Sequence, residues 1–163
     1  MDESIDHLRR TGLLTLGSRL RRLGERVQGD TQEILGAWDS RVATPWHPLL
    51  NLLDHEGPQT IGQISAGLGL AQPGITRSVA GLEEIGLVRV TQSDTDRRLR
   101  HVALTDAGRA FVARARAEVW PLVNRAVADL CEGIGPELLE MIETLEDRLS
   151  DRPLRLRTGE DLS

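Results

Sequence analysis

Between residues 60 and 108 the apolar residues change their period twice, and no other stretch limits the fold so tightly. Thr60 can cap a helix whose inward residues are Ile61, Ile64 and Leu68, and Gly67 and Gly69 mark its end. Gln72-Pro73 restarts a helix with proline at the first helical position, where a missing N–H costs nothing. Ile75, Val79 and Leu82 line the inner face of that helix, and Gly86 stops it. The period then falls to two. Val88 and Val90, and later Val102 and Leu104, alternate with polar neighbours in two short runs, 87–91 and 99–104, around the turn-forming QSDTDRR. Thr105-Asp106 caps the next helix. Helix, turn, helix, strand, charged loop, strand and helix follow in that order, which suits two crossed helices followed by a β-hairpin.

The flanks read as helices. Leu13, Leu16, Leu20, Leu23 and Val27 recur at three- and four-residue spacing, with Arg19, Arg21, Arg22, Glu25 and Arg26 largely on the other faces. A break is expected at Gly29-Asp30, before a second run of Ile34, Leu35, Trp38 and Val42 that Asp30 or Thr31 could cap. Pro45 and Pro48 bracket a turn at Trp46 and His47, before the apolar segment 49–53, and 55–60 reads as a loop. Beyond the hairpin, Phe111, Ala115, Val119, Leu122, Ala126 and Leu130 hold helical register, with a kink expected at Pro121. Gly135-Pro136 opens a last helix striped by Leu138, Ile142, Leu145 and Leu149, and the tail from 151 onward is expected to fray.

Each amphipathic stripe needs a covering surface, and the central unit is too small to cover them all. Either the flanks form an intramolecular bundle or, more economically, two copies pair through them. The expected architecture is mainly α with a small β-wing, a winged helix-turn-helix flanked by N- and C-terminal dimerisation helices. Its divisions would be 1–44 for N-terminal helices, 45–108 for the winged domain, 109–150 for C-terminal helices and 151–163 for a flexible tail.

Charge and cysteine usage narrow the function. The net charge is −5, against a chain that coats nucleic acid indiscriminately but compatible with a localised basic face. All twenty basic residues are Arg, which a GC-rich genome explains. The single Cys131 forbids an internal disulfide and fits a reducing cytosol. No apolar run reaches membrane-spanning length and MDESIDHLRR has no signal-peptide core, so a cytoplasmic protein without a membrane partner is expected.

In a helix-turn-helix, the N-terminal residues of the second helix meet base edges and phosphates. Here those are Gln72, Gly74, Thr76, Arg77 and Ser78, opposite the apolar stripe. Glutamine can pair with adenine, arginine with guanine, and small hydroxyls can reach phosphates. Polar residues on an outward helix face are commonplace, so the loop adds the specificity. Arg97, Arg98 and Arg100 cluster at the hairpin tip beside Asp94 and Asp96. An arginine there could enter a narrow minor groove, with an aspartate holding a guanidinium in place. Ordinary surface ion pairs are the bland reading of the same loop.

The stretches GPQTIGQISAGLGL, PGITRSVAGLEEIGLVRV and DTDRRLRHVALTDAG resemble the MarR family of bacterial transcription regulators, over roughly 46–112. The D-x-D-R-R wing and the L-T-x-x-G strand-to-helix junction carry the likeness. The resemblance implies an intertwined homodimer on double-stranded DNA at a pseudo-palindromic operator, commonly a repressor released by a small aromatic or phenolic effector. It implies a recognition helix over 72–85, DNA contact by Arg77, paired wing arginines at Arg97 and Arg98, and orientation of one of them by Asp96. Pro73-Gly74 departs from the small polar residues common there, so base preference does not carry over.

Trp38, Trp46 and His47 fall where such proteins bind effectors, and they form the candidate effector pocket: indoles could stack an aromatic ring and His47 could bond a carboxylate or phenolate. Core packing of the indoles, with a capping or surface role for His47, is the plainer alternative. His7, His47, His55 and His101 show no metal-ligand spacing, so no metal or cofactor is expected. Cys131, beside Leu130, reads as buried rather than redox-active. Ser65 lacks a nucleophile-elbow context, and no nucleophile–base set supports an enzyme. A winged helix serving only as a protein-interaction module is the competing class; it would leave Arg77, Arg97 and Arg98 dispensable for DNA affinity.

Overall fold

The computed structural model describes residues 6–92 and 100–159. It divides into two compact units, Met1–Val123 and Asn124–Ser163. The first opens with a short helix α1 (His7–Arg10), a 3₁₀ turn (Gly12–Thr15) and the long helix α2 (Leu16–Trp38). Asp6 caps α1 and takes a forked ion pair from Arg22, whose guanidinium holds the Asp6 carboxyl below its ordinary pKa.

Helix α2 runs unbroken through Gly29-Asp30, so neither Asp30 nor Thr31 is a cap, contrary to expectation. The reason lies in the periodicity. Leu20, Leu23, Val27, Thr31, Ile34 and Trp38 continue one face without a phase change. A helical glycine costs only about 1 kcal/mol, too little to end a helix whose stripe persists.

Helix α3 (Trp46–Glu56) begins at the two prolines rather than after them. Pro45 sits at its N-cap and Pro48 within its first turn, where proline removes no intrahelical bond. The preceding loop is closed by Gln32, whose Oε1 accepts from the Thr44 N–H and hydroxyl, both at 2.8 Å. The stretch expected as a loop instead ends α3 and then forms strand β1 (Gln59–Thr60), too short to show an alternating pattern.

Helices α4 (Ile61–Leu68) and α5 (Gln72–Glu84) follow, then strands β2 (Val88–Gln92) and β3 (Arg100–Leu104) and helix α6 (Asp106–Glu118). The sheet is antiparallel in the order β1-β3-β2, with Gln59 opposite Val102 and Val88 opposite Leu104. Leu35, Leu49, Leu50, Ile64, Leu82, Val102, Phe111 and Val112 join one buried cluster beneath it. Helix α6, assigned from sequence to the C-terminal helices, therefore packs into the core of the winged unit through Phe111, Val112 and Ala115.

The junction before α6 is tightly built. Thr105 N–H donates to the Leu87 carbonyl at 3.0 Å, and the Thr105 hydroxyl accepts from Gly108 N–H at 3.0 Å. A Cβ on Gly108 would stand 2.0 Å from the Leu87 oxygen, so the L-T-x-x-G glycine is dictated by a backbone touching it. Pro121 interrupts the next helical stretch as expected: α6 ends at Glu118 and α7 (Trp120–Leu130) begins anew, with Pro121 in its first turn.

In the second unit, helix α8 (Gly135–Asp151) exposes Leu139, Met141, Ile142, Leu145 and Leu149. The stretch expected to fray forms a 3₁₀ turn (Leu154–Leu156), with the Arg157 guanidinium donating to the Arg152 carbonyl at 2.7 Å and to that of Arg148. Cys131 is half-buried in the turn after α7, rather than enclosed within a helix. Among the described residues no helix is long and apolar enough to cross a membrane.

Candidate nucleic-acid interface

The helix pair α4–α5 is shaped by local chemistry at both ends of its turn. Thr60 and Gln63 form a reciprocal capping box: Gln63 N–H donates to the Thr60 hydroxyl at 3.3 Å, and Thr60 N–H to Gln63 Oε1 at 2.9 Å. Gly69 closes α4 in the left-handed conformation, φ 64°, which glycine adopts without a Cβ penalty. The Ser65 hydroxyl then donates to the Leu70 carbonyl and Leu70 N–H returns to the Ser65 carbonyl, fixing the turn into α5.

Helix α5 buries Ile75, Val79 and Leu82 and turns Gln72, Pro73, Thr76 and Arg77 outward. Gly74 and Ser78, expected on the same outward face, are half-buried at its edge. Arg77 has no ion-pair partner among the described residues, so its charge is uncommitted. The Thr76 hydroxyl is committed: it donates to the Gln72 carbonyl at 2.9 Å, leaving it lone pairs rather than a proton to offer. That tempers its expected part as a phosphate donor.

Two contacts from behind set the position of α5. The Trp46 indole lies against Gly81, where an added Cβ would come within 2.5 Å of the ring. At the other end Glu83 accepts the Val90 N–H at 3.1 Å, tying the helix to β2. Sequence reading missed both, although a glycine in an otherwise strong helix is a signal of close approach. In the hairpin, Arg100 is exposed opposite Gln92. Asp94, Asp96, Arg97 and Arg98 lie outside the described residues.

The candidate effector residues separate into two groups. Trp38 meets Phe111 edge-on, ring centroids 5.2 Å apart, and His47 lies 5.8 Å from the same ring. Trp46 meets Gly81 instead. The sequence did not reveal Phe111 and Trp120 as the residues completing this aromatic cluster. Trp120 Nε1–H donates to His47 Nδ1 at 2.9 Å, which places the neutral imidazole proton on Nε2. That Nε2 is buried and has no partner among the described residues. His47 is thus a core residue rather than a cap or surface group. Burial pushes its pKa below the ordinary value, opposed by the nearby Asp39 carboxylate.

The Trp38 indole N–H donates to Glu118 at 2.7 Å, and Arg116 spans from Asp54, at 2.7 Å, to a position over the Trp120 ring. Helices α2, α3 and α6 therefore converge on one aromatic seam behind the helix pair.

A sequence model of the MarR family matches residues 42–99, from before α3 to the residue preceding β3. This stretch is similar to the winged helix of the MarR family. The match takes in α4, α5 and β2 and ends before β3, and it supports the reading of a DNA-binding regulator. Among solved structures, the chain is similar to the transcriptional repressor CouR bound to a 23-mer DNA duplex, at 29% identity and TM-score 0.63, covering 83% of this chain and 92% of that one. It is also similar to the transcriptional regulator BldR from Sulfolobus solfataricus, at 24% identity and TM-score 0.68, over 83% of this chain and 94% of that one. BpsR of Bordetella bronchiseptica, whose DNA binding is regulated by 6-hydroxynicotinic acid, matches at 24% identity and TM-score 0.67, over 83% and 93%.

Proposed function

We propose that the protein is a homodimeric transcription repressor that reads a pseudo-palindromic operator in the cytoplasm and releases it on binding a small aromatic or phenolic effector. The observation that carries the reading is Arg77, exposed and unpaired among the described residues on the outward face of a helix whose opposite side is fully engaged in the core. Gln72, Gly74, Thr76 and Ser78 share that helix, with Thr76 acting as an acceptor, and Asp96, Arg97, Arg98 and Arg100 are assigned to DNA contact on the sequence pattern. CouR on its duplex supports the DNA reading by analogy.

Uncovered apolar surface supports dimerisation. Leu20 and Leu23 on α2 are exposed among Arg19, Arg22 and Arg26, while Leu139, Met141, Ile142 and Leu145 on α8 are exposed among Glu137, Glu140 and Glu143. Two copies covering these faces would remove apolar stripes from water and set opposite charges at their rims. A dimer must present two α5 helices to successive major grooves about 34 Å apart, so a change in their separation breaks several DNA interactions together. Repression by occlusion of a promoter needs no catalytic residue. For the effector, the seam of Trp38, Phe111 and His47 offers aromatic faces and an unpaired buried N–H suited to a phenolate or carboxylate.

Selection of bound duplexes from a random pool at near-physiological salt tests the reading. An enriched inverted repeat, abolished by Arg77→Ala, is the expected result. Retention of DNA without sequence enrichment, or enrichment indifferent to Arg77, would overturn it.

A further inference from the structure

The first turn of α5 contains a glycine for which the protein itself gives no reason. Gly74 is absent from the glycines with positive φ, so its backbone makes no demand that alanine could not meet. Among the described residues an added Cβ would find nothing within 4 Å, unlike Gly81 or Gly108, where a side chain or a carbonyl stands in the way. Glycine also weakens a helix relative to alanine. Its neighbour Pro73 is exposed, as are Ala71 and, at 51%, Leu70. The leading end of the helix therefore presents an apolar, partly bare surface beside the polar Gln72 and Arg77.

That surface lacks the hydrogen-bonding groups with which a side chain distinguishes one base edge from another. What it matches in the major groove is the one apolar group there, the C5 methyl of thymine. We infer that Pro73 and the bare Cα of Gly74 form a seat for a thymine methyl group in each half-site, making Gly74 a specificity-determining residue. The inference rests on the reading of α5 as the helix that enters the major groove. Gln72 and Arg77 then supply the polar contacts on either side, and the absence of a Cβ supplies the depth.

Replacing thymine by deoxyuridine removes only the methyl group and leaves Watson–Crick pairing intact. In the duplex recovered by selection, each thymine is exchanged singly, and affinity is measured for wild type and for Gly74→Ala. Exchange at one thymine per half-site should weaken wild-type binding about fourfold, the value of one buried methyl. Gly74→Ala, whose new methyl fills the seat, should bind the thymine duplex more weakly and show no preference for thymine over deoxyuridine at that position. Thermal melting of the variant at or above wild type separates this from damage to the fold.

If no thymine is discriminated, or if Gly74→Ala discriminates as wild type does, the seat does not exist. A pool that yields no motif at all would instead remove the operator reading beneath it, and the inference with it.

Discussion

Gly108→Ala should be among the most damaging single methyl additions to this chain, and its cost can be worked from the strand-to-helix junction. The new Cβ would lie 2.0 Å from the Leu87 oxygen, a full ångström inside the 3.0 Å that real Cβ atoms respect. The carbonyl is held in place, because it already accepts from Thr105 N–H at 3.0 Å while the Thr105 hydroxyl donates to the adjacent Gly86 carbonyl at 2.7 Å. Helix α6 must withdraw, straining the cap from Thr105 to Gly108 and loosening Phe111 and Val112 in the core. Overpacking of this kind costs about 1–3 kcal/mol, and loss of the cap adds about 1. Better helix propensity returns about 1. The net is roughly 2 kcal/mol, or about 4–8 °C in melting temperature for a chain of this length. Circular dichroism melts at fixed protein concentration read it directly, with Gly74→Ala as the matched control that should not fall. A Gly108→Ala variant melting with wild type would refute the steric argument.

Other outcomes follow from the same geometry. Thr60→Ala removes the side-chain half of the capping box and should destabilise by about 1 kcal/mol, measured by urea titration with unchanged m-value. His47 has a depressed pKa when folded, so the unfolded chain takes up a proton first as pH falls through its ordinary value of 6.5. Stability present above that pH should drain as pH descends from there toward the folded value, and His47→Gln should flatten this segment of the stability–pH curve. An unaltered slope would show that His47 is not its source. Arg97→Ala in the wing should weaken operator binding. It should also reduce the slope of log affinity against log salt by about one for each phosphate it no longer neutralises, in filter-binding or anisotropy titrations. Affinity equal to wild type would discard the wing's part in binding.

How much of this was legible in sequence depended on how local the determining physics is. The cap at Thr60, the stop at Gly86, the stripe Ile75–Val79–Leu82 and the break at Pro121 are each decided within a few residues, and each was readable there. Gly29-Asp30 misled because a breaker signal was weighed without the stripe that passes straight through it. Strand β1 was invisible, since two residues carry no period and owe their conformation to β3 beside them. The placement of the candidate effector residues was likewise beyond local reading. Trp46 and His47 are neighbours in sequence but point to different partners, Gly81 and Trp120, and only the tertiary arrangement separates them. Burial of His47 could not be read from a chain in which prolines on both sides suggested an exposed turn.

The indole of Trp46 resting on Gly81 has an implication for how such a reader diversifies. The seat of α5 is made from its rear surface, whereas Gln72, Pro73, Thr76 and Arg77 stand on its front. Changes on the front leave the mounting untouched, so the outward residues can be exchanged without re-solving the placement of the helix. The rear is the opposite kind of position: a side chain at Gly81 would meet the Trp46 ring, and one of the two would have to shift. Vocabulary is free to drift in this molecule, while the hand that holds the page is fixed by a tryptophan and a missing methyl group.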